Sequence, residues 1–366
     1  MSTSAFTTAI AQARDLLRWR SPLRTELWAA RLCAGLEQGG AEEFVRELVA
    51  SDTTEARLTL AALIGVDGAP LARVGTGERL GGDGGAAEDG GSVQGGGSYA
   101  DDEGSGGEGL GAWAEAGREA VRALPGWVAR MGQVTCEGAW YGKADRYGQQ
   151  TLAALHFCYH DGKEPHVLVV GIDQVNGGLA VDALVDEVKF LDDLRLDPAE
   201  PGVVAGRMLD AFELTERVMG AMVADTFPSV RPFALGRALA VPHPVRPAPD
   251  DVVSTFRRLP GVPGAEEAFE KLVEFVGDRP LWWSPARVSQ FLTSWLPREA
   301  ILSQEAIAAM PEVVRAWSRS SGDHREVLER VETEAPLLAG LMADESLAGL
   351  GKRIALSRLR VEGDQP

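Results

Sequence analysis

Three of the chain's five histidines fall close together: His156, His160 and His166, with Cys158 between the first two. Imidazole and thiolate are zinc ligands, and alternate residues of a strand share one face. His156, Cys158 and His160 alternate in this way. Four strand residues, however, set His156 and His160 about 13 Å apart, too far for both to reach one ion at ~2 Å. A hairpin around Asp161-Gly162 turns His166 to the opposite face unless a bulge intervenes. Sheet histidines are the simpler reading, and no bound metal or cofactor is expected. His156 is kept as a candidate ligand or base.

A second constellation is acidic. Asp182, Asp186, Lys189 and Asp193 recur at i, i+4, i+7 and i+11, one face of a helix over residues 179–194. Paired carboxylates can hold a divalent cation or share a proton. The other face carries Val181, Leu184, Val185, Val188 and Leu191, so an amphipathic helix with a solvated acidic side explains the same spacing. Asp182 and Asp186 stay as candidates.

Between these groups lies Gly171-Ile-Asp-Gln-Val-Asn-Gly-Gly178. A strand ends, Asp173 and Asn176 follow, then two glycines, then the expected helix. Such a junction can present backbone amides to an anion. The segment has no GxGxxG or P-loop pattern, and a tight turn that needs positive φ accounts for it. Asp173 and Asn176 complete the candidate list. The chain contains no GxSxG, SxxK or HExxH motif. Trp28, Trp295 and Trp317 fall on apolar helical stripes, which points to packing rather than base stacking. Arg14, Arg18, Arg20, Arg24 and Arg31 outnumber Asp15 and Glu26 in the first helices, a solvated face or a weak phosphate-binding one.

The elements that must position these residues are legible in outline. Residues 5–20 carry an i, i+3, i+4 apolar stripe. Ser21-Pro22 offers an N-cap and a proline at N1 for a second helix to 36. Residues 41–50 and 54–64 read as two more, capped in the latter case by Thr53 or Thr54. A further helix is expected over 112–131. The period then changes to two, with strands over 133–141, 150–160 and 166–173 joined by Gly- and Asp-Gly-containing turns. Helices follow over 179–194, 203–224 and 265–276, from Ser284-Pro285 to 296, and over 303–310, 311–320, 323–342 and 345–359. Six prolines between 228 and 249 suggest an extended, stiff connection over 227–249.

Residues 75–112 hold 16 of the 43 glycines and eight acids against one arginine, so they carry -7 of the formal net charge of -18. Such a tract cannot bury enough apolar surface to offset its ordering entropy and is expected to be a disordered linker. The expected organisation is a small helical bundle over 1–74, the linker over 75–112 and an α+β domain over 113–366. That domain is mostly helical, with one antiparallel β-meander of about three strands over 133–173. Cys33, Cys136 and Cys158 are far apart and form no disulfide framework. The first residues lack the basic and apolar regions of a signal peptide, and no apolar run spans a bilayer, so a cytoplasmic location and no membrane partner are expected.

Trp283-Ser-Pro-Ala-Arg-Val-Ser-Gln-Phe-Leu-Thr-Ser-Trp-Leu-Pro-Arg298, followed by Met310-Pro-Glu-Val-Val-Arg-Ala-Trp-Ser-Arg319, resembles the C-terminal part of a family of actinobacterial proteins with no known activity. The bias of 31 Arg to 5 Lys suits a high-GC genome. The resemblance implies no activity. The sequence is read as a non-enzymatic interaction or regulatory protein that meets another protein through an apolar helix face. One alternative is a metal-assisted hydrolase using Asp173, Asp182, Asp186 or His156. Another is weak nucleic-acid binding through the N-terminal arginines, which the acidic balance disfavours.

Overall fold

The computed structural model describes residues 2–36, 40–66, 122–246, 253 and 256–363. The expected linker over 75–112 and the expected helix over 112–121 lie outside the described residues. From 122 the chain makes turns and a short 3₁₀ helix, Val128–Arg130, in place of the rest of that helix. The protein is α+β. It divides into two compact units, one of Met1–Thr135, Cys158–Glu164 and Pro228–Ala240, the other of Cys136–Phe157, Pro165–Phe227 and Val241–Pro366.

The first unit contains α1 (Ser2–Trp19), α2 (Pro22–Leu36), α3 (Ala41–Ala50) and α4 (Thr54–Val66). Ser21 Oγ accepts the Arg24 amide at 3.1 Å and Thr53 Oγ1 the Ala56 amide at 3.3 Å, so both N-termini are capped by hydroxyls. α4 is apolar around most of its girth and is the central helix, with Ala56, Leu58, Leu60, Ala61, Ala62 and Leu63 buried. Ala9, Cys33, Phe44 and Leu48 close on Ala56 and Leu63, and Phe6 meets Phe44 edge-on at 6.3 Å.

The same unit includes most of α6, Phe227–Leu239. This corrects the expected stiff extended segment. Pro228 sits in the first turn, where a missing N–H costs nothing, and only Pro232 is interior. Phe233, Ala234 and Ala238 are buried, which offsets the interior proline.

Arg237 of this helix reaches Glu26 of α2, whose side chain is 0% exposed. The Glu26 carboxylate accepts from the Arg237 guanidinium, the Tyr159 hydroxyl and the Gly132 amide. Arg237 Nη2 also donates to Tyr159 Oη at 3.0 Å, and its guanidinium lies 4.2 Å from the Phe233 ring centre. Burial, and then the Glu26 charge, push the Tyr159 hydroxyl far above its ordinary range, so it stays a donor.

The second unit holds most of a five-stranded sheet in the order β4-β3-β2-β1-β5. The strands are β1 (Val134–Lys143), β2 (Gln150–Tyr159), β3 (His166–Asp173), β4 (Leu179–Asp186) and β5 (Asp197–Pro198). Five strands replace the expected three. Residues 179–186, expected as a helix, form β4, antiparallel to β3. The turn at Gly177 (φ 102°) and Gly178 (φ 89°) reverses the chain, and β4 then satisfies the free edge of β3. A bulge at Gly171/Ile172 shifts the pairing, so Gly171 faces Asp182 and Ile172 faces Ala180. Only Val188–Asp193 of the expected helix is helical, as a 3₁₀ segment.

α5 (Pro201–Arg217) packs on β4, where Thr215 Oγ1 donates to the Ala180 carbonyl at 2.9 Å. Its Gly202 and Gly206 admit the 242–245 backbone: a Cβ on Gly206 would lie 1.8 Å from the Val245 carbonyl oxygen. The Val245 amide in turn donates to the Gly202 carbonyl at 2.9 Å. Beyond lie α7 (Ala265–Val276), α8 (Pro285–Ser289), a π-helical stretch (Gln290–Trp295) and α9 (Leu296–Glu299). Then come α10 (Gln304–Ser320), which runs straight through Pro311, α11 (Arg325–Glu334), α12 (Leu338–Ala343) and α13 (Leu350–Gly363). Ser284 and Ser303 are N-caps. Trp283, Trp317, Phe291 and Leu272 centre this core, and Trp283 Nε1 donates to Ser318 Oγ at 2.9 Å.

Three outcomes are expected. Glu26→Gln leaves Arg237 buried without its counter-charge and costs about 3–5 kcal/mol in urea unfolding, while Glu26→Leu with Arg237→Met recovers much of it. Alanine at Gly35, where a Cβ meets nothing within 4 Å, raises stability by about 0.5–1 kcal/mol. Alanine at Gly206 instead lowers the melting temperature, because the Val245 carbonyl must move.

Candidate functional site

The expected site residues are all placed, and they do not converge. Asp173 and Asn176 lie in the β3–β4 turn. Asp173 Oδ1 accepts the Val175 amide at 2.9 Å and the Asn176 amide at 3.2 Å, and Asp173 Oδ2 accepts Asn176 Nδ2 at 2.7 Å. Their polar groups hold the turn. Asp182 and Asp186 are exposed on β4, and each carboxylate accepts the next residue's amide. Four strand residues separate them by about 13 Å.

His156 pairs with Val167, and Val167 with Asp186, so one face carries all three across β2, β3 and β4. Two strand spacings put His156 and Asp186 about 10 Å apart. Burial holds the His156 imidazole below its ordinary range, with Glu137 opposing, so it is neutral at pH 7. His166 pairs with Phe157 on the opposite face and stacks on its ring at 6.0 Å. Among the described residues no group of three His, Cys, Asp or Glu side chains is placed to share a metal ion. No described helix is long and apolar enough to cross a membrane. Of the N-terminal arginines, Arg14 pairs with Glu55 at 3.1 Å, Arg18 with Asp15 at 3.6 Å, and Arg24 lies over Trp19 at 5.3 Å.

The turn nevertheless borders a cleft within the second unit. About 60 Å³ of space, half open to solvent, is lined by β1, the end of β3, α5 and the residues after α7. Gln174 is 4% exposed. Its Nε2 donates to the buried Thr151 Oγ1 at 2.7 Å, and Tyr141 Oη donates to the same oxygen at 3.2 Å. This fixes one wall.

One face of α5 supplies the next wall, with Arg207, Asp210, Ala211 and Leu214 at i, i+3, i+4 and i+7. The Arg207 guanidinium lies 4.5 Å from the Tyr141 ring centre. Asp278 and Arg279 form the third wall. Arg279 Nη1 donates to the Gln174 carbonyl at 3.0 Å, and Arg279 Nε lies 3.4 Å from Asp278 Oδ1.

The electrostatics are mixed. Arg246, held over α5 by the 242–245 backbone, lies 3.5 Å from Asp210 and donates to Glu213 at 3.0 Å. Burial raises the Asp210 carboxyl; Arg246 opposes this, and Glu213 and Asp278 add to it. Behind Arg279, Arg287 is 6% exposed and lies 3.9 Å from the Phe275 ring centre and 4.2 Å from that of Trp282. It donates to the Phe275 carbonyl and to Gln290, and its Nε meets no hydrogen-bond partner among the described residues. Burial and the neighbouring Arg279 lower its pKa to about 10. The cleft residues Tyr141, Gln174, Arg207, Asp210, Asp278 and Arg279 carried no motif. The only signal was the Gly-Gly turn beside them.

A raised carboxyl in the folded state binds a proton that the unfolded chain has already released. Stability therefore falls as pH rises from the ordinary aspartate value through the folded one, and stays lower above it. Asp210→Asn is expected to raise the melting temperature at pH 7, with the gain fading below about pH 4. An equal gain at every pH would point to packing instead of charge. Comparison with known protein families, curated proteins and solved structures gives no match.

Proposed function

We propose that this chain is a non-enzymatic regulatory protein that binds a small charged molecule in the cleft of its second unit. The observation that carries this is the cleft's lining. Two arginines and two aspartates, from α5 and from the segment after α7, line one space beside a fixed phenol and a fixed amide. A few precisely placed polar groups are what orient a small ligand in its site. The lining contains no Ser, Thr, Cys, His or Lys, and its Asp210 and Asp278 carboxylates lie beside Arg246 and Arg279, an arrangement that favours holding a charged ligand. Arg287 adds a buried positive charge near Arg279, which favours an anionic group on the ligand.

The test is a thermal-shift survey of the full chain against small carboxylates, phosphates, amines and amino acids. At least one is expected to raise the melting temperature in a concentration-dependent way. Arg279→Ala is expected to weaken that ligand roughly 10- to 100-fold, since a hydrogen bond to a charged group is worth about 1.5–3 kcal/mol. A ligand whose effect survives both Arg279→Ala and Arg207→Ala binds elsewhere, and the proposal then fails.

A further inference from the structure

The geometry points to a free α-amino acid with a small aliphatic side chain as the cleft's ligand. This rests on the reading that the cleft binds a small molecule, and it specifies which one. Three features of the lining carry it.

The first is a pair of cations from different elements. Arg207 comes from α5 and Arg279 from the segment after α7. Each is already oriented, Arg207 by the Tyr141 ring and Arg279 by the Gln174 carbonyl. A planar guanidinium held in place matches a carboxylate well.

The second is a pair of carboxylates beside those cations, Asp210 and Asp278. A simple anion such as phosphate gains nothing from them and is repelled. A ligand with an ammonium next to its carboxylate satisfies both pairs at once. The third is the apolar remainder, Ile172, Ala211 and Leu214, which would cover a short aliphatic chain. The cleft is small, about 60 Å³, and half open to solvent, so it offers room for the charged head and short side chain of a small ligand.

Calorimetry on the full chain tests this with four probes: L-valine, isovalerate (no ammonium), isobutylamine (no carboxylate) and inorganic phosphate. L-Valine is expected to bind at least about tenfold tighter than either half-molecule, one charge-assisted hydrogen bond's worth. Asp278→Asn with Asp210→Asn is expected to abolish valine's advantage over isovalerate, with isovalerate itself tightening as the repulsion is lifted. Arg279→Gln is expected to weaken both carboxylates and not the amine.

The outcomes separate the two levels of the reading. If isovalerate or phosphate binds as tightly as valine and Arg279→Gln abolishes it, the cleft is a binding site but the amino-acid assignment is wrong. If no probe binds, the amino-acid assignment is overturned, and the wider survey then decides on the cleft itself. If valine binds and neither the Asp nor the Arg variants alter its affinity, both are overturned.

Discussion

The second unit depends on one reversal of the chain, at Gly177-Gly178. Both glycines sit at positive φ, where any other residue would be strained. Asp173 spends its carboxylate on the turn's own amides and on Asn176, which fixes where the reversal happens. β4 then lies on β3 and offers the Ala180 carbonyl to Thr215 of α5. With α5 seated, Arg207 and Asp210 stand opposite Tyr141 and Gln174. The cleft is thus a consequence of the turn. The two polar residues most visible in the sequence contribute to it as builders, while their less conspicuous neighbours line it.

The first unit is organised around a different constraint, a charge buried completely. Removing a carboxylate from water costs several kcal/mol even after relaxation. Glu26 is tolerated because three donors meet it, one of them a cation. Those donors come from residues 132, 159 and 237, so the arrangement is met only when widely separated parts of the chain are all in register. An apolar residue would pack with less selectivity. The interaction therefore contributes to uniqueness more than to net stability. It also gives α6, with its interior proline, a specific reason to be there.

The sequence disclosed some of this and hid the rest for identifiable reasons. β1, β2 and β3 were legible because alternation and a Val-rich run have no helical counterpart. α3 and α7 were legible because their apolar stripes are strong and glycine marks the start of α3 and both ends of α7. β4 was misread because a spacing of four belongs to both periods. Asp182 and Asp186 share a face on a helix and on a strand alike. α6 is hidden in the sequence because a proline in a helix's first turn, where it is harmless, looks the same as one that breaks the helix. Glu26 looked like one more exposed acid among helix arginines, and nothing local distinguishes it, since its partners lie more than a hundred residues away. The cleft was invisible for the same reason: its walls join residues 141, 174, 207 and 278.

The cleft's charge also stands against that of the whole chain, which is formally -18. That imbalance does not forbid an anionic group. At physiological salt, exposed charges farther off than about 8 Å are largely screened. At about 4 Å in a partly buried site, a single guanidinium interacts with a carboxylate by about 4 kcal/mol at an effective dielectric near 20, before desolvation is counted. The local field is set by Arg207, Arg279 and the Arg287 charge behind them, which Asp278 offsets only in part. Asp210 is partly occupied by Arg246, so its repulsion of an incoming anion is blunted. A mixed-charge recess can therefore accept a small zwitterion at contact whatever the net charge of the chain. Selectivity of this kind comes from where the charges are held, and the turn at Gly177-Gly178 and the close approach at Gly206 are what hold them.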